Sequence, residues 1–144
     1  MSYFAAAIGA GSGMMVLLVI FSNAWRLGLL PKGYDFIHEF GKSLVRTDNR
    51  KITYMVRLLL GTLLHPVVFI FIWGRDGLLG IYPYNSGVLS ASLLLIIESS
   101  LFSIALWAGF PKLSPRELVS RLIFLQYAGH TCLGMLMGIT FELL

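Results

Sequence analysis

Tyr127–Gly138 reads YAGHTCLGMLMG, one histidine in the middle of an otherwise lipid-compatible run, with Gly134 and Gly138 following it at four-residue steps. The solvent around this run decides the fold, and the composition names that solvent. Of the 144 residues, 57% are hydrophobic and only 12% charged, too apolar for an ordinary water-soluble domain. Crossing the roughly 30 Å hydrocarbon core takes about 20 apolar residues as helix. Four windows reach that length, at about Phe4–Trp25, Ile52–Trp73, Val88–Phe110 and Leu118–Phe141. The chain therefore reads as all-α, a single polytopic domain over 1–144 with four transmembrane helices in an up-down bundle.

The first window lacks a basic n-region and a small-x-small cleavage site, so it reads as a retained helix and not as a signal peptide. The single cysteine, Cys132, falls inside the fourth window, where it is expected to act as a small buried apolar residue. The net charge of +4 is explained by its distribution. Arg26, Lys32, Lys42, Arg46, Arg50, Lys51 and Arg57 flank or fill the first connection, and Lys112, Arg116 and Arg121 flank the third. The second connection holds only Arg75, balanced by Asp76. By the positive-inside rule, connections 26–51 and 111–117 belong on the cytoplasmic, matrix or stromal side of an inner, plasma or organellar membrane, with both termini opposite. Lipid is the expected partner, and nucleic acid is not.

Within the first window, AAAIGAGSG sets Ala5, Gly9 and Gly13 on one face at small-xxx-small spacing, which suits close packing or self-association through this helix. A phosphate-cradling reading would need a preceding strand and a nearby basic residue. The first connection carries YDFIHEFGKSLVR (34–46), with Phe36, Ile37, Phe40 and Leu44 at helical spacing against Asp35, Glu39, Lys42 and Arg46. Such an amphipathic segment can lie in the membrane interface or fold against the end of the bundle. His38 within it is expected to be an exposed polar residue.

In the second window, GTLLHPVVF predicts a kink or local opening beside His65, because Pro66 removes the amide donor that Thr62 would use. RDGLLGIYPYNSG (75–87) has turn chemistry, and Trp73, Tyr82 and Tyr84 can form an aromatic belt. SPRE (114–117) reads as a capping box at the start of the fourth window, with Ser114 as N-cap, Pro115 at the first helical position and Glu117 reaching back.

Counting along the helices at 1.5 Å per residue puts His65, His130 and Glu98 at about 18 to 20 Å from the cytoplasmic ends, close to the bilayer centre. A charged group on lipid there costs about 2.5 to 3.5 kcal/mol, so all three are expected to face the bundle interior together. Ser99, Ser100 and Thr62 could add hydrogen bonds, while Gly61 and Gly134 could admit close approach of a helix or flat ligand. The reading favoured for the triad is interhelical glue in an accessory or assembly subunit of a larger membrane complex, such as an energy-transducing one, or in a small homo-oligomer, and two alternatives stand beside it. One is a cofactor site, with His65 and His130 as axial ligands to haem b or, singly, to a chlorophyll magnesium, and Glu98 as acceptor. The other is a proton or ion relay in a small carrier or channel. A hydrolytic His2Glu metal site lacks the expected i, i+4 histidine pair, and no nucleophilic triad stands out, so no enzymatic activity is expected.

RLGLLPKGYDFIHEFGKSLV (26–45), GTLLHPVVF (61–69) and HTCLGMLMG (130–138) together resemble a loose group of small four-helix membrane proteins of unknown function. In that group a G-xxx-H helix and an H-xxx-G-xxx-G helix recur. The resemblance implies the four-helix fold and the pairing of the two histidines. Phe69 departs from it, standing where a small residue would be expected.

Overall fold

The computed structural model describes residues 2–72, 87–109 and 116–144. Five helices account for nearly all of them: α1 Ser2–Asn23, α2 Phe36–Val45, α3 Arg50–Ile72, α4 Gly87–Trp107 and α5 Val119–Leu143. Short 3-10 turns follow α1 at Ala24–Leu27 and precede α5 at Arg116–Leu118. No strand occurs among the described residues. Helix is the expected solution for such a sequence, since hydrocarbon offers no partner to a backbone N–H or C=O. All but α2 form segments long and apolar enough to cross a membrane, Tyr3–Leu27, Arg50–Phe71, Gly87–Trp107 and Arg116–Leu143. The protein is a small helical integral membrane protein.

Among the described residues the spans form a ring with one open seam. α1 packs on α5, α5 on α4 and α1 on α3, whereas α3 and α4 scarcely touch. Small residues make the closed seams close. A Cβ on Gly9 would stand 2.6 Å from the Met137 Cα, and one on Gly13 only 2.9 Å from the Leu133 Cβ. Across the α4–α5 seam, a Cβ on Gly134 would meet the Ala91 carbonyl oxygen at 2.8 Å, and one on Gly138 the Val88 Cα at 2.5 Å. Glutamate 142 of α5 accepts the Gly87 N–H, closing the start of α4.

The face of Ala5, Gly9 and Gly13 is buried inside the chain, with Gly9 and Gly13 against α5. Gly61 and Gly134 admit close approach, in both cases of protein. Gly61 receives the Met14 side chain, whose Cε would lie 2.9 Å from an added Cβ, and Gly134 receives the α4 backbone. Phe69, where the resemblance has a small residue, is fully buried edge-on against Phe141 at 5.0 Å.

α2 settles against the bundle and not out in the interface. Phe36 and Ile37 are buried, and Phe36 stacks on Phe21 at 5.6 Å while Phe40 meets Phe102 edge-on at 5.5 Å. Of the four apolar residues expected on its inner face, Leu44 alone is exposed. A Cβ on Gly41 would sit 2.6 Å from that of Thr53, so the two helices cross almost backbone to backbone. His38 is buried, contrary to expectation. The Thr53 hydroxyl gives its one proton to the Arg50 carbonyl at 3.0 Å, so His38 Nδ1–H donates to Thr53 Oγ1 at 2.8 Å. Asp35 caps α2 by accepting the His38 N–H and also accepts the Tyr54 hydroxyl at 2.7 Å.

α3 runs unbroken through Pro66. The belt and turn residues of 73–86 and the capping residues Ser114 and Pro115 lie outside the described residues.

Candidate functional site

The expected triad assembles. His65 from α3, Glu98 from the middle of α4 and His130 from α5 bring their ligand atoms within 4.8 Å of one another. The imidazole rings stand edge to face with centroids 6.0 Å apart. A fourth member was not expected there. Arg57, counted from the sequence with the flanking basic residues, points inward from α3 and places Nη2 3.1 Å from His130 Nε2.

The protonation of the quartet follows from its donors and acceptors. His65 Nδ1 lies 2.8 Å from the Gly61 carbonyl, and His130 Nδ1 lies 3.0 Å from the Gln126 carbonyl, each one turn back on its own helix. A carbonyl oxygen only accepts, so both Nδ1 atoms carry hydrogen and each Nε2 is the free end of its ring. His130 Nε2 accepts from the Arg57 guanidinium. His65 Nε2 faces both oxygens of Glu98, at 2.8 Å from Oε2 and 3.0 Å from Oε1. Two lone pairs repel at that distance, so one proton lies between them, as imidazolium with carboxylate or as imidazole with carboxylic acid. Either way the quartet carries one net positive charge.

This donor set does not fit a divalent cation or a haem. His130 Nε2, which the metal would need, already accepts from a fixed positive charge. A metal would add its own charge to that of Arg57 in a medium that solvates neither. The close-approach glycines, which a flat ligand would use, are filled by Met14 and the α4 backbone. Of the other residues expected near the triad, Ser100 Oγ pairs with the Tyr127 hydroxyl at 2.6 Å. Ser99 Oγ and Thr62 Oγ1 are buried without a hydrogen-bond partner among the described residues.

Two openings reach the quartet, and Glu98 borders both. On the α2 side a chamber of about 70 Å³ holds Arg57, Glu98 and Gln126 beneath Phe36, Phe40 and Phe102. Along the open seam a groove of about 400 Å³ runs between α3 and α4, walled by Leu64, Val68, Leu94, Ile97 and Leu101 and floored by His65 and Glu98.

Arg57 was the residue that sequence reasoning missed, and a signal for it exists. Arg57, Gly61 and His65 repeat at four-residue steps, which is one helix face. Comparison with family models, with curated proteins and with solved structures finds no match for the chain.

Proposed function

We propose that the protein is a small proton-exchanging membrane protein, a carrier or channel, in which His65 and Glu98 hold and release one proton within the span. The observation that carries this reading is the pairing of His65 Nε2 with the Glu98 carboxylate at 2.8 Å while Nδ1 is tied to Gly61. That geometry requires a proton between the two groups, carried by one or the other, and such carboxylate–imidazole pairs inside a membrane suit proton transfer. Glu98 borders both a small chamber that also holds Arg57 and Gln126 and a membrane-side groove, which is consistent with access from two directions. The role is transport and not covalent catalysis.

The basic first and third connections favour placing the α2 end, with its chamber, on the cytoplasmic, matrix or stromal side. The accessory-subunit and homo-oligomer reading has less support, because the glycine faces that motivated it are used up between α1, α5 and α4. The haem and chlorophyll reading is weakened by the commitment of both Nε2 atoms.

The test is proton flux into vesicles reconstituted with the purified chain, driven by a potassium diffusion potential and read with an internal pH dye. Wild-type protein is expected to conduct above empty vesicles, and Glu98→Gln to fall to the empty-vesicle rate. An unchanged flux in Glu98→Gln would overturn the proposal.

A further inference from the structure

The chamber under α2 gathers hydrogen-bond donors that the chain itself does not use. Arg57 and Gln126 line it together, with carbon walls from Phe36, Phe40 and Phe102. Among the described residues the Arg57 guanidinium has a single hydrogen-bond acceptor, His130 Nε2, although a guanidinium carries five N–H groups. Gln126 is only 5% exposed. Its backbone carbonyl is taken by His130 Nδ1, but its side-chain amide has no partner among the described residues. Buried polar groups are ordinarily paired, so the two side chains call for an acceptor in the space that they share.

Charge decides what kind of acceptor. Water could satisfy the donors, but it brings no counter-charge, and the quartet with its shared proton carries one net positive charge. Glu98 at the chamber wall does not cancel the guanidinium, because the proton between it and His65 leaves that pair neutral as a whole. A cation without a partner inside a membrane span is costly. An anion between Arg57 and Gln126 accepts from both and brings the centre to neutrality.

We propose that the chamber is a binding site for one monovalent, chloride-sized anion, held between the Arg57 guanidinium and the Gln126 amide. One water needs about 10 to 15 Å³ of such space, so a chamber of about 70 Å³ takes a small ion with little else and excludes bulky organic acids. Sulfate would overshoot the single positive charge and costs far more to strip of water. The site rests on the charge state argued for the quartet and not on any movement of its proton. Occupied, it gives the protonated centre a counter-ion, so that proton and anion reside in the span as a neutral pair.

The full-length chain, isotope-labelled at arginine and glutamine, is titrated with sodium chloride in nonionic micelles while sodium gluconate holds the ionic strength constant. NMR follows the Arg57 Nε–H and the Gln126 side-chain amide, assigned through bonds. Both are expected to shift saturably with chloride and with bromide, and to stay in place when sulfate is added instead. Gln126→Leu is expected to weaken chloride, read at Arg57, at least about tenfold. Absence of a chloride-dependent shift at both groups overturns the proposal and leaves a chamber that holds water alone. Equal shifts with sulfate overturn it too, as does unchanged chloride affinity in a Gln126→Leu variant whose circular dichroism is that of the wild type. The anion series on wild-type protein needs no variant, so it decides the matter even where Gln126→Leu does not fold. Proton flux in vesicles separates this site from the transport reading. No chloride binding beside a flux that Glu98→Gln abolishes removes the anion site alone, whereas chloride binding beside a flux that Glu98→Gln leaves unchanged removes the transport reading and keeps the site.

Discussion

Arg57 reaches to 3.1 Å from His130 Nε2 although α3 and α5, which carry the two residues, each pack mainly on other helices. The contact is made by side-chain length, across the interior of a ring whose walls meet elsewhere. It occupies the His130 nitrogen that the Gln126 carbonyl leaves without hydrogen and sets the charge of the whole quartet.

Replacing Arg57 separates its hydrogen bond from its charge. Arg57→Leu leaves His130 Nε2 without a donor in the span and is expected to destabilise the bundle by about 1 to 3 kcal/mol. Arg57→Gln, able to donate an amide hydrogen, is expected to cost less. Unfolding in mixed micelles of rising dodecyl sulfate content measures both, and equal losses would contradict the assignment.

Glu98→Gln is expected to leave the fold nearly intact, because the amide can donate to His65 Nε2 where the shared proton now lies. Glu98→Ala removes the bridge across the open seam. The expected loss is about 0.6 to 2 kcal/mol, the range for interhelical hydrogen bonds in membranes. The same micelle titration distinguishes them.

The α1–α5 seam gives a harsher prediction. A Gly13→Val side chain has to displace Leu133, whose Cβ would already lie 2.9 Å from the first added carbon. Overpacking of this kind costs about 1 to 3 kcal/mol where side chains can move, and more where backbone must. Gly28→Val, at a position with no neighbour within 4 Å of an added Cβ, is a useful contrast, since there the left-handed φ of 72° is the sole obstacle. The lower folded yield is expected for Gly13→Val.

One buried hydrogen bond contributes to the docking of α2, beside its aromatic contacts and the Gly41–Thr53 crossing. Thr53→Val keeps the shape of the side chain but removes the acceptor for His38 Nδ1–H, an expected cost of about 1 to 3 kcal/mol. Faster amide exchange confined to residues 36–45 would register the loss, and unchanged protection there would count against this account of α2.

Outside the spans, Lys42 offers a titration. Its ammonium donates to Asp48 at 3.0 Å, and that bond, with the charges of Asp48 and Glu39, holds its pKa above the usual lysine value. A raised folded pKa means that the pair's contribution is complete below the ordinary lysine value and fades as pH rises through the folded one. Asp48→Asn should return Lys42 toward its ordinary titration, observed by carbon NMR of its ε-methylene, with no resolvable change in stability because the pair is exposed.

How much of this was legible in the sequence differs from residue to residue. The spans and the common level of His65, Glu98 and His130 follow from helical rise, because depth in a bilayer is a one-dimensional quantity that counting delivers. Arg57 escaped because a long side chain near a helix end can turn toward water or inward, and only the neighbours decide. The small-residue faces of α1 and α5 announced close packing without naming a partner, since a glycine stripe fits any helix backbone. His38 was misplaced because the acceptor that lets it be buried, Thr53, sits on another helix.

The seam between α1 and α5 also bears on biogenesis. Among the five helices, α1 finds its tightest neighbour in the one that is made last of them, so its glycine face stays unfilled until α5 is in place. Glu98 and His65 can meet before that face closes, whereas His130 and its arginine come together only with α5. Completion of the polar centre in this way waits on the same helix that closes the α1 seam.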